Sequence, residues 1–505
     1  MKKKLILFLI FSSIVSWAQA PSISYLSYPG NSWSFNVNTN ISPIPPPQNG
    51  GGAIPATMYG QVTTFAGASY PGDINGIGTA ARFNTLSSLV VDAMGNLYVA
   101  DQGNRKIKKI STIGEVSTFV GSGVTSSVDG LGTAASFLSP KSICIGEAGN
   151  FYVADGEGSN SSIRKISPIG LVTPQLPSGS FGSCLGASGV AYSPITFNQS
   201  VMISDTGRHK IIASSIQSGG AGIVAGNGTV GMGNGTGSLA TFNFPKAIVY
   251  NSSGSLLYVA DSGNNAIRKI DNQNLVTTVA TGFNNPTGLA VSVGGTIYVA
   301  DRNNNKIMQI SPLGQVSTLA GTGIAGDTDG IGSVAKFYIP NGVAVDNAAG
   351  YLYVADYFKI RKICITGYSI YPSLPEGLNF DNLTGIISGT PTIAQPYTTY
   401  TVTAYNSYGS SHAFIMIEII PSLGINDFSK CNVKLYPNPT HSVLNLSVND
   451  GICLDKITIV DITGKIAIEQ TENLSKINVE QLSKGVYILT AYSGDQKFQE
   501  KFIKE

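Results

Sequence analysis

The sequence runs to 505 residues, 42% of them hydrophobic and only 12% charged. That balance supplies enough apolar side chains for several buried cores and excludes an intrinsically disordered chain. The formal net charge is +2 with no basic stripe, so nothing in it recruits nucleic acid or an acidic membrane surface.

Glycine is abundant, at 59 residues, and Ser, Thr and Asn recur throughout. Turn-rich, β-branched sequence of this kind points to an all-β protein. At the start, Lys2, Lys3 and Lys4 precede an apolar run from Leu5 to Val15 and two small-x-small patterns, Ser16-Trp17-Ala18 and Ala18-Gln19-Ala20. This is the pattern of a secretory signal peptide over residues 1–18. Cleavage is expected after Ala18, because cleavage after Ala20 would place Pro21 beside the scissile bond. The apolar run is too short to span a membrane, and no later segment is long enough, so no transmembrane segment is expected. The five cysteines, Cys144, Cys184, Cys364, Cys431 and Cys453, are sparse and odd in number, which is no disulfide scaffold. Cys431 and Cys453 are either a pair within one small domain or buried thiols.

Residues 21–59 hold two strand-like pieces, Ile23-Ser24-Tyr25 and Trp33-Ser34-Phe35-Asn36-Val37, followed by a Pro-rich stretch. Residues 60–365 are repetitive. Leu97-Tyr98-Val99-Ala100-Asp101 recurs at 151–155, 257–261, 297–301 and 352–356, with a degenerate copy in Val201-Met202-Ile203-Ser204-Asp205. The six copies lie roughly 40–55 residues apart, the spacing of propeller blades. Each follows a stretch like Pro286-Thr287-Gly288-Leu289-Ala290-Val291. Each precedes a turn, an Ile267-Arg268-Lys269-Ile270-like strand and a Val316-Ser317-Thr318-Leu319-Ala320-like strand. Short alternating strands separated by Gly/Asn turns predict four-stranded antiparallel blades. The pattern resembles the NHL-repeat family of β-propellers. That resemblance implies a propeller fold with a ligand-binding face, which the six copies make six-bladed, and leaves the activity open, since the fold hosts both binders and lyases.

The sixth copy supplies only three strands, while Gln61-Val62-Thr63-Thr64-Phe65-Ala66-Gly67 matches the fourth-strand text at 315–321. The N-terminal strand is therefore expected to complete the last blade, pairing with residues 359–364 and removing an exposed edge.

Beyond the ring, Leu374-Pro375-Glu376-Gly377-Leu378 and Ile387-Ser388-Gly389-Thr390-Pro391 resemble an immunoglobulin-like family of bacterial surface proteins, but only its later strands lie in 366–421. Residues 21–59 supply text like its opening strands. The two stretches are read as one sandwich with the propeller inserted, which close guest termini permit. After a 422–429 linker, Leu435-Tyr436-Pro437-Asn438-Pro439-Thr440 and Leu482-Ser483-Lys484-Gly485-Val486-Tyr487 resemble the C-terminal sorting domain of the type IX secretion system of Bacteroidetes, over 430–505. The resemblance implies export through the periplasm, engagement of the type IX machinery, and residence outside the cell or on the outer-membrane surface.

The ring is poor in catalytic side chains. Its only histidine is His209 and its only glutamates are Glu115, Glu147 and Glu157, too few for a multi-histidine zinc site. His412 and His441 lie in the flanking domains and are read as surface or packing residues. The Asp that ends each Tyr-Val-Ala-Asp strand is read as capping its own turn. The loop text Asp129-Gly130-Leu131-Gly132-Thr133-Ala134-Ala135-Ser136-Phe137 recurs near 75–83, 234–242 and 329–337, and its Phe is expected to plug the gap between blades. Asp327 and Asp329 are the calcium candidates, since carboxylates in a Gly-rich turn suit that ion; no other cofactor is expected. In an up-and-down blade the inter-blade loops and the turns after the Asp share one face. Residues there that break the repeat are the ligand-binding candidates: Arg82, Glu157, Arg208, His209, Arg302, Lys336, Tyr357 and Phe358. No catalytic residue stands out. The sequence reads as a secreted or cell-surface binding protein presenting a propeller face to an extracellular glycan or protein. A lyase or hydrolase with a metal-poor site, or a structural adhesion protein, is the alternative.

Overall fold

The computed structural model describes residues 32–505 except 47–53, 55, 56, 177–185, 194–198, 219, 347, 349, 407, 408, 422–433, 448–453 and 494–495. The expected signal peptide, the Ile23-Ser24-Tyr25 strand, the 422–429 linker, Cys184 and the Cys431/Cys453 alternative lie outside the described residues. The chain divides into two compact units, Met1–Ile420 and Pro421–Glu505.

Six antiparallel sheets of the first unit form a ring of blades. Blade 1 comprises Leu86–Val91, Leu97–Asp101, Lys106–Ile110 and Glu115–Val120, and blade 2 Pro140–Ile145, Phe151–Asp155, Ser162–Ile166 and Leu171–Leu176. Blade 3 is Ala187–Ser193, Ser200–Asp205, Lys210–Ser215 and Ala221–Ala225; blade 4 is Pro245–Tyr250, Leu257–Asp261, Ala266–Ile270 and Leu275–Thr281. Blade 5 is Pro286–Val291, Ile297–Asp301, Lys306–Ile310 and Val316–Ala320. Blade 6 joins Pro340–Asp346, Tyr351–Asp356 and Lys359–Cys364 to Val62–Gly67 from before blade 1. The first strand of each blade packs against the first strands of both neighbours, blade 6 against blade 1 included.

The closing strand pairs as its sequence predicts: Val62 lies opposite Ile363, Thr64 opposite Arg361 and Gly67 opposite Lys359. The last blade is thus assembled from both ends of the ring, and neither end is left as an open edge. The Tyr-Val-Ala-Asp strands are buried at every position in blades 1, 2 and 5, which explains their unbroken apolar text. Gaps between blades are filled by loop phenylalanines. Phe83, Phe137, Phe242 and Phe337 are fully buried, as expected, and Phe283 takes the same place between blades 4 and 5 from a short connection. Before blades 1, 2 and 4 the long loop also adds a two-residue strand to the outer edge of its own blade: Gly76–Ile77, Gly130–Leu131 and Gly235–Thr236.

The ring is joined to a second layer of sheets. Ser32–Asn36 runs parallel to Gly409–Ile420, which pairs with Gln395–Asn406 and through it with Gly367–Tyr371. Ile41–Ile44 pairs with Ile387–Gly389 beside Leu378–Phe380. Trp33 and Phe35 pack with Tyr400, Val402, Ile415 and Ile417 in one core, so residues from before and after the ring share both sheets. Tyr59 stacks on Tyr405 at 4.5 Å between ring centroids, and its hydroxyl donates to Gln309 of blade 5. These contacts tie the sandwich to the ring at the face where the blades' second strands begin. The second unit holds its own two sheets around Leu444, Ile457, Ile459, Leu489 and Phe502.

Candidate functional site

The repeated aspartate has a more specific role than its position suggested. Asp101, Asp261 and Asp301 make no side-chain bond to a backbone N–H of the turn that follows them, and hold that turn through the side chain of its Asn. The carboxylate also reaches back to the chain entering the blade. Asp101 accepts from the Asn84 N–H at 2.8 Å, Asp155 from Ser139 at 2.7 Å, Asp261 from Asn243 at 2.7 Å, Asp301 from Asn284 at 2.6 Å and Asp356 from Tyr338 at 2.7 Å. In blades 1, 4 and 5 its second oxygen accepts from the Asn three residues on. Burial pushes the Asp101 and Asp356 carboxyls up to about 7, against the hydrogen bonds and nearby cations that favour their charged forms.

In four blades this aspartate belongs to a larger latch. The third strand carries a buried cation, Lys108, Arg164, Arg268 or Arg361. Each holds the acid or amide that opens the loop motif: Lys108 to Asn75 at 2.9 Å, Arg164 to Asp129 at 2.6 Å, Arg268 to Asn234 at 2.8 Å and Arg361 to Asp329 at 2.7 Å; Lys108 also pairs with Asp73 at 2.6 Å. Each Arg also donates to two loop carbonyls, lies over the loop Phe at 5.2–5.5 Å, and faces its own blade's Asp. Where the loop motif is missing, the cation is missing too: the equivalent positions are Ile212 in blade 3 and Met308 in blade 5. A buried guanidinium is tolerable only when paired, so the two parts occur together.

The calcium candidates belong to this system. Asp327 accepts from Lys359 at 2.6 Å and from Ser69, and Asp329 accepts from Arg361 and from the Thr64 N–H at 3.0 Å. Both carboxylates face protein cations. The geometry makes them an ion-paired clasp between the last loop and the closing strand. Among the described residues no cluster of three or more His, Cys, Asp or Glu could hold a metal.

The inner strands enclose a channel with a cavity of about 490 Å³, walled by residues such as Val90, Ile143, Val190, Ile248, Leu289 and Val343. At its loop-side mouth every inner strand has a one-residue bulge, just after its first residue in five blades and between Pro245 and Ile248 in blade 4. A bulged residue leaves the ladder and re-aims its side chain. The six equivalent positions are Ser87, Lys141, Ser188, Lys246, Thr287 and Asn341. Ser87 donates to the Pro140 carbonyl, Thr287 to Asn341, and Asn341 to the Leu86 carbonyl, stitching the rim from blade to blade. Lys246 donates to Asn285 Oδ1 at 3.0 Å. Its pKa is lowered by burial and by the nearby charges of Arg302 and Lys141. Lys141, at the equivalent position of blade 2, lines the cavity itself. Arg302 leads the turn after the blade 5 Asp and donates Nε–H to Asn341 at 2.9 Å. Among the described residues none of the three is paired with a carboxylate.

Of the sequence-derived candidates, Arg302 alone joins this cluster. Arg82 is turned into its own loop, donating to the Thr79 and Ala81 carbonyls and to Tyr70. Glu157 lines a shallow groove with Arg105, Gln102 and Ser139 between blades 1 and 2. Tyr357, Phe358 and Tyr338 form an aromatic cluster on blade 6. Lys336 is half-buried in the last loop, its stem beside Gly326, and Arg208 lies in the turn after Asp205. His209 has a structural task. It sits at φ +56°, and its Nδ1 accepts the Phe244 N–H at 3.0 Å. Asn265 and Asn305 use Oδ1 for the same bond from the same left-handed position.

Lys141 and Lys246 were not among the candidates. The signal that exposes them is positional: each follows the residue that starts an inner strand, a column reading Ser, Lys, Ser, Lys, Thr, Asn in an otherwise repetitive text.

Three segments match known families. Residues 283–309 match the NHL repeat, 355–419 the Putative Ig domain and 434–505 the secretion system C-terminal sorting domain. A Bacteroides thetaiotaomicron structural-genomics protein shares 17% identity over 60% of this chain and 75% of its own, with a TM-score of 0.50. At that identity the likeness shows the fold. An auxiliary nutrient binding protein of the same organism shares 18% identity over the same shares of the two chains, with a TM-score of 0.46. An ulvan lyase of Nonlabens ulvanivorans is 31% identical over 86 residues, so the chain spans 16% of that relative's length. No helix among the described residues is long and apolar enough to cross a membrane. The chain thus combines NHL-repeat, Ig-like and sorting-domain segments, and its tail marks it as a type IX-secreted protein of the cell surface or the extracellular space.

Proposed function

We propose that this secreted chain is a binding protein, and that the loop face of its propeller takes an extracellular glycan or protein partner at the channel mouth. The supporting observation is a contrast within the repeat. Side chains that hold the blades together recur from blade to blade, whereas the six bulged positions at the mouth differ. A ligand is asymmetric, so a site for it must break the ring's symmetry. The boundaries 21–59, 60–365 and 366–421 fit a ring inserted into a sandwich, and the sandwich contacts, by way of Tyr59 and Gln309, leave the loop face open.

The test is a screen of the full chain against a glycan array and extracellular protein ligands, with hydrogen exchange to locate the footprint. Protection of residues 86–88, 140–142 and 245–247 on binding is the expected result. A ligand that protects only the sandwich or the opposite face overturns the assignment of the site.

A further inference from the structure

The channel mouth carries a charge imbalance that the ring does not resolve. Elsewhere in the ring each buried cation has its counter-charge or amide: Lys108, Arg164, Arg268 and Arg361 all do. Lys141, Lys246 and Arg302 are half-buried, and two of them are held only by amide oxygens, of Asn285 and Asn341. Neither amide neutralises charge. The Lys246 ammonium uses one of its three N–H groups on Asn285, and Arg302 uses Nε–H on Asn341 while its NH1 makes a long bond of 3.4 Å to Asn303. Clustered cations without an anion repel one another and are only partly solvated, so they are retained at a cost in stability.

The three come from blades 2, 4 and 5: Lys141 lines the channel cavity, Lys246 holds the equivalent bulged position and bonds Asn285, and Arg302 bonds the rim residue Asn341. Hydroxyl groups complete the rim, Ser87 and Ser188 on blades 1 and 3 and Thr287 on blade 5, all three lining the cavity with Lys141. The wall below them is built mainly of Val, Ile, Leu and Ala, with Tyr192 and Tyr250 among them. Such a place accepts one small anionic group with hydroxyl-bearing surroundings and does not admit an extended chain. Resting on the reading of the loop face as a binding surface, we propose that the channel mouth is an anion subsite for a saccharide that bears a carboxylate or sulfate. Lys141, Lys246 and Arg302 hold the anion, and the rim hydroxyls hold its sugar hydroxyls.

The test is calorimetric titration of the full secreted chain with tri-galacturonate, a mono-sulfated disaccharide and neutral cellotriose. Inorganic sulfate serves as competitor against chloride at equal ionic strength. The expected result is binding of at least one acidic saccharide at least about tenfold tighter than cellotriose, with sulfate competing beyond the chloride effect. The Lys141→Met/Lys246→Met chain should lose at least about tenfold of that affinity. Lys109→Met, on the opposite face, should lose none. Arg302→Lys keeps the charge and should lose less than Arg302→Met, which separates a lost anion contact from a disturbed fold. Retention of parental affinity by the double variant overturns the subsite, as does no binding of either acidic saccharide up to about 10 mM. Cellotriose binding as tightly as the acidic sugars overturns the anion while leaving the saccharide reading in place. If only a protein ligand binds, saccharide recognition itself falls.

Discussion

Four latches carry the same parts in the same places: a strand-end aspartate, a buried cation in the next strand, a loop phenylalanine, and a loop acid or amide. The channel mouth is made by the same blades, yet its six equivalent positions carry Ser, Lys, Ser, Lys, Thr and Asn. The latches are closed systems in which every charge has a partner. The mouth is different: among the described residues its cations Lys141, Lys246 and Arg302 have no carboxylate partner. A repeat protein needs the same bond in each blade to hold its ring, whereas recognition needs an uneven one. Recurrence therefore marks structure in this chain, and departure from recurrence marks the surface that meets something else.

The contrast breaks most visibly at a latch. Arg268→Ala leaves Asp261 buried without its cation and should cost about 3–5 kcal/mol, read by chemical denaturation of the full chain. A loss under about 1 kcal/mol would mean that the latches do not hold the ring. Phe337→Ala should cost a similar amount, about 3–4 kcal/mol, because Phe337 is fully buried between blades 5 and 6. Neither change should alter the ligand preference of protein that remains folded.

The pH dependence sharpens the same comparison. Asp101 and Asp356 are pushed up to about 7 by burial, above the ordinary range near 4. A raised carboxyl favours the protonated folded state, so its contribution is fully present below about pH 4 and is lost as pH rises through about 7. Asp327 and Glu147 are held below their ordinary values, Asp327 first by its bond from Lys359, and Glu147 by Lys165 and Tyr152 against the opposing effect of burial. Their contributions are present above about pH 4 and disappear only at lower pH. The ring should be more stable at pH 5 than at pH 8, by more than about 1 kcal/mol, and Asp101→Asn should flatten that slope. At the mouth the sign reverses in effect. Lys246, half-buried and opposed by Arg302 and Lys141, has its pKa lowered first by burial and next by those charges, so anion affinity should fall as alkaline pH is approached, earlier than for an isolated lysine.

His209 gives the smallest effect. His209→Asn should be neutral, since Asn265 and Asn305 do the same work, and His209→Ala should cost about 1–2 kcal/mol through the lost acceptor at a left-handed position. Binding should be untouched by either.

These outcomes follow what the sequence could and could not convey. The ring, its closing strand and the plugging phenylalanines were legible because each rests on local patterning repeated several times. The role of His209 was not, because the need for an acceptor at that turn is set by a backbone conformation shared with Asn265 and Asn305. The pairing of Asp329 with Arg361 was not legible, because Arg361 lies 32 residues further along and meets it only when the last blade folds. Lys141 and Lys246 escaped notice because a bulge, invisible in the alternation, turns them out of the ladder.

The most direct test makes the mouth symmetric. Replacing Lys141 and Lys246 with Ser, the residue at this position in blades 1 and 3, and Arg302 with Thr, its counterpart in blade 3, leaves every latch intact. The variant is predicted to unfold within a few degrees of the parent and to lose the parent's ligand on the same array. Equal capture of that ligand by both chains would contradict the claim that departure from the repeat at the channel mouth is what recognises it.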